Sequence, residues 1–94
     1  MEFQVRSRMD CDGGRFVLMV NGVEAGYAHY ALEDFPEDPK NKRRVFDHTI
    51  IQERFRSQGL GSRLIEESVK ATEAAGHPYR ATCSAVEDWL TKNR

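Results

Sequence analysis

With 94 residues, 39% hydrophobic and 31% charged, the chain has the size and balance of one globular domain spanning 1–94, not of a disordered tail. A formal net charge of -1 argues against nucleic-acid binding by bulk electrostatics. No stretch is apolar for long enough to cross a membrane, and Met1-Glu2-Phe3-Gln4-Val5-Arg6 lacks the apolar core of a signal peptide. The expectation is a cytoplasmic protein, a monomer or weak homo-oligomer, with neither nucleic acid nor membrane as partner. Cys11 and Cys83 lie far apart without metal-ligand spacing, so free thiols and no metal site are expected.

In chain order, Phe3 and Val5 alternate with polar neighbours as in a strand, and Asp12-Gly13-Gly14 reads as a turn. Arg15–Val20 is a strong strand. Asn21-Gly22 follows at once, a pair that suits the two-residue hairpin turn because both positions need positive φ. Val23–Leu32 is the returning strand, and Glu33–Arg43, with Pro36, Pro39 and clustered charge, is a loop. Val45–Ile51 is apolar on both faces except at Asp47-His48, as in an interior strand covered on both sides. Gly59–Ala75 is a long helix whose stripe runs Leu60, Leu64, Ser68, Ala71, Ala75, with Ile65 and Thr72 beside it. Glu66 and Lys70 make an i,i+4 pair, and Gly76 with Pro78 ends the helix. Tyr79–Cys83 is a short strand. Ala85–Lys92 is a last helix, with Ser84 as cap, Glu87 at its third position and Trp89 and Leu90 as apolar anchors. The order is β-β-β-β-α-β-α, an α/β (α+β) fold with a mixed, mostly antiparallel sheet.

The strand Val45–Ile51 runs through a basic, glycine-bearing turn into the long helix. The first N–H groups of a helix have no partners within it, and the helix dipole adds positive potential there. Gly59 and Gly61 allow close approach to the backbone, and Arg56 adds a permanent cation. Arg56 to Gly61 is therefore a candidate phosphate site, although a glycine needed only for a tight connection accounts for the same residues. The loop lacks the Gly-Lys-Ser/Thr ending of a nucleoside-triphosphate P-loop and the G-x-G-x-x-G of dinucleotide folds.

Arg56-Ser57-Gln58-Gly59-Leu60-Gly61 resembles the (Gln/Arg)-x-x-Gly-x-(Gly/Ala) motif of the GNAT N-acetyltransferase superfamily. With Asp47-His48-Thr49 before the loop and Cys83-Ser84 after the helix, the chain is similar to the smallest, single-domain members. The likeness runs from Val45 to Ala85; Glu53 stands where a proline is common.

The resemblance implies acetyl transfer from acetyl-coenzyme A to an amine. It assigns Arg56, Ser57, Gln58, Gly59, Leu60, Gly61 and Ser62 to the pyrophosphate of coenzyme A, and Ile50 and Ile51 to its pantetheine arm. A backbone N–H near Thr49 would polarise the thioester carbonyl. The final strand would splay away and bring Cys83 near the thioester sulfur, to protonate the departing thiolate, accept the acetyl group, or form a mixed disulfide. His48 is the candidate general base, since histidine ordinarily titrates near physiological pH. The plainer alternatives are a core histidine bonded to a loop carbonyl or to Asp47, and a cysteine that packs as a small hydrophobe. Ser84 to Leu90 lacks the tyrosine acid of larger relatives. The acceptor expected at an open site is an exposed lysine or a polyamine. The alternative is a non-catalytic acyl-coenzyme A-binding or sensing module. Lys40–Arg44 is either a solvated loop or a contact for the 3′-phosphate of coenzyme A or for an acidic partner. Trp89 reads as a core anchor, and His29 and His77 receive no role.

Overall fold

In the computed structural model, residues 3–9, 13–56 and 58–93 are described. The strands are β1 (Phe3–Met9), β2 (Gly13–Val20), β3 (Val23–Glu33), β4 (Arg43–Ile51) and β5 (Tyr79–Ala81). The helices are α1 (Leu60–Ala74) and α2 (Ser84–Lys92), with a 3-10 turn at Glu53–Phe55. The element order matches the expected one. The sheet runs β1-β2-β3-β4-β5, antiparallel through β4 and parallel between β4 and β5.

Asn21 (φ 50°) and Gly22 (φ 79°) both take positive φ, as the tight hairpin between β2 and β3 requires. Gly13 and Gly14 do not form a turn as expected; they are already paired in β2. Gly14 is there for room: a Cβ would lie 2.4 Å from the Arg8 carbonyl and 2.6 Å from the Tyr30 hydroxyl. Asp12 and Cys11 lie outside the described residues.

Phe16, Leu18, Val20, Ala28, Tyr30 and Phe46 project from one face of the sheet into a core closed by Leu60, Leu64, Ile65 and Val69 of α1 and Val86 of α2. Each fully buried Val, Leu, Ile or Phe among them contributes about 1.5–3 kcal/mol. The buried stripe of α1 turns toward Ile65, Val69 and Thr72, while Ala71 and Ala75 face solvent, contrary to the stripe read from the sequence. The larger side chains win the core face, and alanine is tolerated on the wet one. The other face of the sheet carries no helix among the described residues, so β4 is not covered on both sides.

The basic run divides. Lys42 approaches Asp34 at 3.9 Å. Arg43 bonds Glu33, and Arg80 of β5 makes a two-pronged contact with the same carboxylate at 2.9 Å. Arg44 is buried in the core. Its guanidinium lies 4.7 Å from the Tyr30 ring centre and donates to Thr72 Oγ1 at 3.0 Å, tying β4 to α1. Arg43 and Arg44 thus belong to β4, not to a solvated loop.

Candidate functional site: a cleft where two strands part

The site begins with how β4 meets β5. Arg44 N–H donates to Pro78 O (2.9 Å), and Phe46 O accepts from the N–H groups of Thr82 (3.0 Å) and Cys83 (3.1 Å). The ladder stops there. The expected strand to Cys83 ends at Ala81 because these two N–H groups converge on one carbonyl and the chain turns into α2. Cys83, not Ser84, is the N-cap, its carbonyl accepting Glu87 N–H at 3.0 Å. No side chain caps this helix, so the expected Ser84–Glu87 box does not form.

Beyond Phe46, β4 continues without a partner on that side. Asp47 is an extra residue: Tyr30 pairs with Phe46 and His29 with His48. One inserted residue inverts the alternation of peptide groups along a strand. Even-numbered residues bond β5 before the bulge; from Thr49 onward the odd-numbered ones face the vacated side. In keeping with this, Ile51 C=O accepts Arg56 Nε at 3.0 Å, while Gln52 N–H returns to Ala25 O at 2.7 Å.

The vacated space is a cleft of about 750 Å³, within the range of small-molecule sites. Thr49, Ile50 and Ile51 form one wall, Gly61, Ser62, Ile65 and Glu66 of α1 another, and Ala85, Asp88, Trp89, Lys92 and Asn93 of α2 a third. Arg56 lines the cleft as well. Helix α1 is preceded by its N-cap Gly59 in the left-handed conformation (φ 72°), with no side-chain cap among the described residues and no acid in its first turn. The unpartnered N–H groups of its first turn are thus left for an anion.

Residues 15–94 match the model of the GCN5-related N-acetyl-transferase family. The chain belongs to that family. Among curated proteins none matches it in sequence. Solved acetyltransferases share the fold. The ribosomal-protein-alanine N-acetyltransferase of Brucella melitensis biovar Abortus 2308 is similar with TM-score 0.68 and 16% identity over 80% of this chain and 50% of that one. A GNAT family acetyltransferase of Staphylococcus aureus gives 0.64 and 18% over 77% and 53%. Glucosamine-6-phosphate N-acetyltransferase of Arabidopsis thaliana gives 0.60 and 19% over 77% and 51%. The chain spans about half the length of each.

Within this GNAT fold the sequence-derived site residues separate into three groups. Ile50, Ile51, Arg56, Gly61 and Ser62 come together in the cleft. Gln58 and Gly59, with buried Leu60, instead border a smaller hollow shared with Phe3 and Arg63. Ser57 lies outside the described residues. Cys83 is half-buried beside the cleft rather than on its wall, its Sγ 3.7 Å from Thr49 Oγ1. His48 is exposed and projects from the opposite face of β4. Asp47 bonds not His48 but His29, Nδ1 to Oδ1 at 2.6 Å, and the His29 and His48 rings lie 6.1 Å apart. The Lys40–Arg44 run sits at the other end of β4 from the cleft. Sequence reasoning missed His29, Asp88 and Lys92. His29 could be found only from the β3–β4 register, which the bulge at Asp47 sets. Trp89 both packs against the core and lines the cleft.

Proposed function

We propose that the cleft binds acetyl-coenzyme A and that the protein transfers its acetyl group to an amine. The carrying observation is the parting of β4 from β5 to leave a cleft that the first turn of α1 also lines. The fit rests on two features. The first-turn N–H groups of α1, with Ser62 among them, and Arg56 present positive potential to a pyrophosphate; Gln58, Gly59 and Leu60 border the neighbouring hollow and enter this reading through their backbone alone. Gly61 leaves an empty wall, since a Cβ there would come no nearer than 3.8 Å, to Ile51 Cγ1.

When bound, acetyl-coenzyme A supplies an activated thioester. The chain's own residues do the rest. The open peptide edge of Thr49–Ile51 holds the amide-bearing arm, and the Thr49 N–H polarises the carbonyl. His48 takes the proton from the attacking amine. Cys83, held against Thr49, returns a proton to the departing sulfur. The acceptor is a lysine side chain or a polyamine-like amine. The exposure of His48 on the far face of β4 from the cleft favours a second reading, a coenzyme A-binding module without turnover.

Calorimetric titration with coenzyme A tests the site, and Gly61→Leu is the informative variant. Gly61 is helical with ordinary φ, so leucine does not strain the fold and improves helix propensity by about 0.8 kcal/mol. Stability should hold or rise while binding is lost. Full binding by a folded Gly61→Leu protein would reject the cleft. Acetyl transfer to an amine in the wild type separates enzyme from binding module.

A further inference from the structure

The sheet face without a helix carries an ordered arrangement that the cleft does not use. Arg8 pairs with Arg15, Arg15 with His29, and His29 with His48. Residues opposite one another in register share a face, so these four side chains form one transverse row across β1, β2, β3 and β4. The row starts at the bulge beside the cleft and runs to the edge of the sheet. Arg8, Arg15 and His29 line a hollow of about 200 Å³.

Two arginines directly opposite each other in an antiparallel pair repel. Arg6 adds a third charge on the same face; it bonds Gln4. Arg15 lies over the Tyr27 ring at 4.3 Å, which orients it without neutralising it. Of the acids described on this face, Asp47 is committed to His29 and Glu33 to Arg43 and Arg80, while Glu24 lies opposite Met19, four residues along β2 from Arg15. Among the described residues, Arg6, Arg8 and Arg15 have no carboxylate partner.

We infer that this row is the acceptor track of the proposed acetyltransferase and that it selects an amine carried on an acidic peptide. The inference rests on the reading given above. An amine at His48 lies two strands from Arg15 and three from Arg8, or about 10 and 14 Å at the usual strand spacing. An extended peptide advances about 3.3 Å per residue, so carboxylates two to five residues from the acceptor lysine meet the two arginines. A polyamine would bring its second cation against the same row and is disfavoured.

Two peptides test this: one with a single lysine followed by alternating aspartates, the other with arginine in place of each aspartate. The acidic peptide should be acetylated with about three- to tenfold higher kcat/KM at low salt, with spermidine below it. The preference should collapse as salt screens exposed charge. Arg8→Glu/Arg15→Glu should reverse the order of the two peptides. If that protein does not fold, Arg8→Gln/Arg15→Gln should abolish the preference. Equal rates, a preference for the basic peptide, or an order unchanged by the double substitution would overturn the inference. Fluorescence anisotropy of the labelled acidic peptide with the coenzyme A-loaded protein separates this from the reading beneath it. Binding that is lost in the double variant, without acetylation of any peptide, removes the transfer reaction and keeps the acidic-peptide surface. No binding removes the surface.

Discussion

The two halves of β4 live in different surroundings. From Arg43 to Phe46 the strand lies between β3 and β5, and Arg44, Val45 and Phe46 are buried. From His48 to Ile51 it has β3 on one side and the cleft on the other, and none of the four is buried. One residue, Asp47, separates the halves. The contrast teaches that a single strand can divide its work, with one half fixing position and the next leaving its backbone open to a cleft.

Breaking the first half should cost most. Phe46 is 1% exposed and touches the rings of Phe16, Tyr30 and Tyr79. Phe46→Ala should lower unfolding free energy by about 3–5 kcal/mol in denaturant titration. In the second half the expectation inverts. His48→Ala should change stability by no more than about 0.5 kcal/mol, because the ring is exposed. In the proposed mechanism it should cut acetyl transfer by about 10²–10⁴-fold at unchanged coenzyme A affinity. Unchanged turnover would remove His48 from the reaction, and a large loss of stability would mean the halves are not separable.

The smallest effect concerns the clamp at the top of β4. The Arg80 guanidinium, by hydrogen bonding, holds the Glu33 carboxyl at about 2 against an ordinary 4.5; partial desolvation opposes this, and Arg43 adds a bond and a charge. A lowered folded-state pKa stabilises above the unfolded value and loses that stabilisation as pH falls through the folded one. The contribution should therefore be complete above about pH 4.5 and fade toward about pH 2. The group is partly exposed, so the effect is screened and small. Comparing wild type with Glu33→Gln, melting temperatures should diverge least at the acid end of that window. A constant difference across it would remove the clamp from the acid response.

Much of this contrast was legible in the sequence. Asn21-Gly22 announces the hairpin through its demand for positive φ, and α1 is visible in its spacing and its Gly76 stop. The loop before α1 is legible because helix ends bind anions for a general physical reason. Asp47 as a bulge was not legible, since an inserted residue shows only when partners are compared across strands. His29 was missed for the same cause, and so was the placement of His48 on the face away from the cleft. Arg44 misled because a charged residue in a basic run reads as solvated, whereas its guanidinium lies over the Tyr30 ring and bonds Thr72 inside the core.

The unpaired edge of β4 also bears on self-association. Exposed strand edges can template another chain's strand, and proteins blunt them with charge, brevity or cover. The open stretch, Thr49 to Ile51, is short and flanked by Ile65 on one helix and Trp89 on the other. A second strand would need lateral room for its own side chains, and those walls occupy it. At the far side of the sheet β1 is an edge as well, and there Arg6 and Arg8 supply charge instead. Guarded by walls on one side and by repulsion on the other, the sheet can leave peptide groups bare to something as narrow as a single amide chain without seeding a fibre.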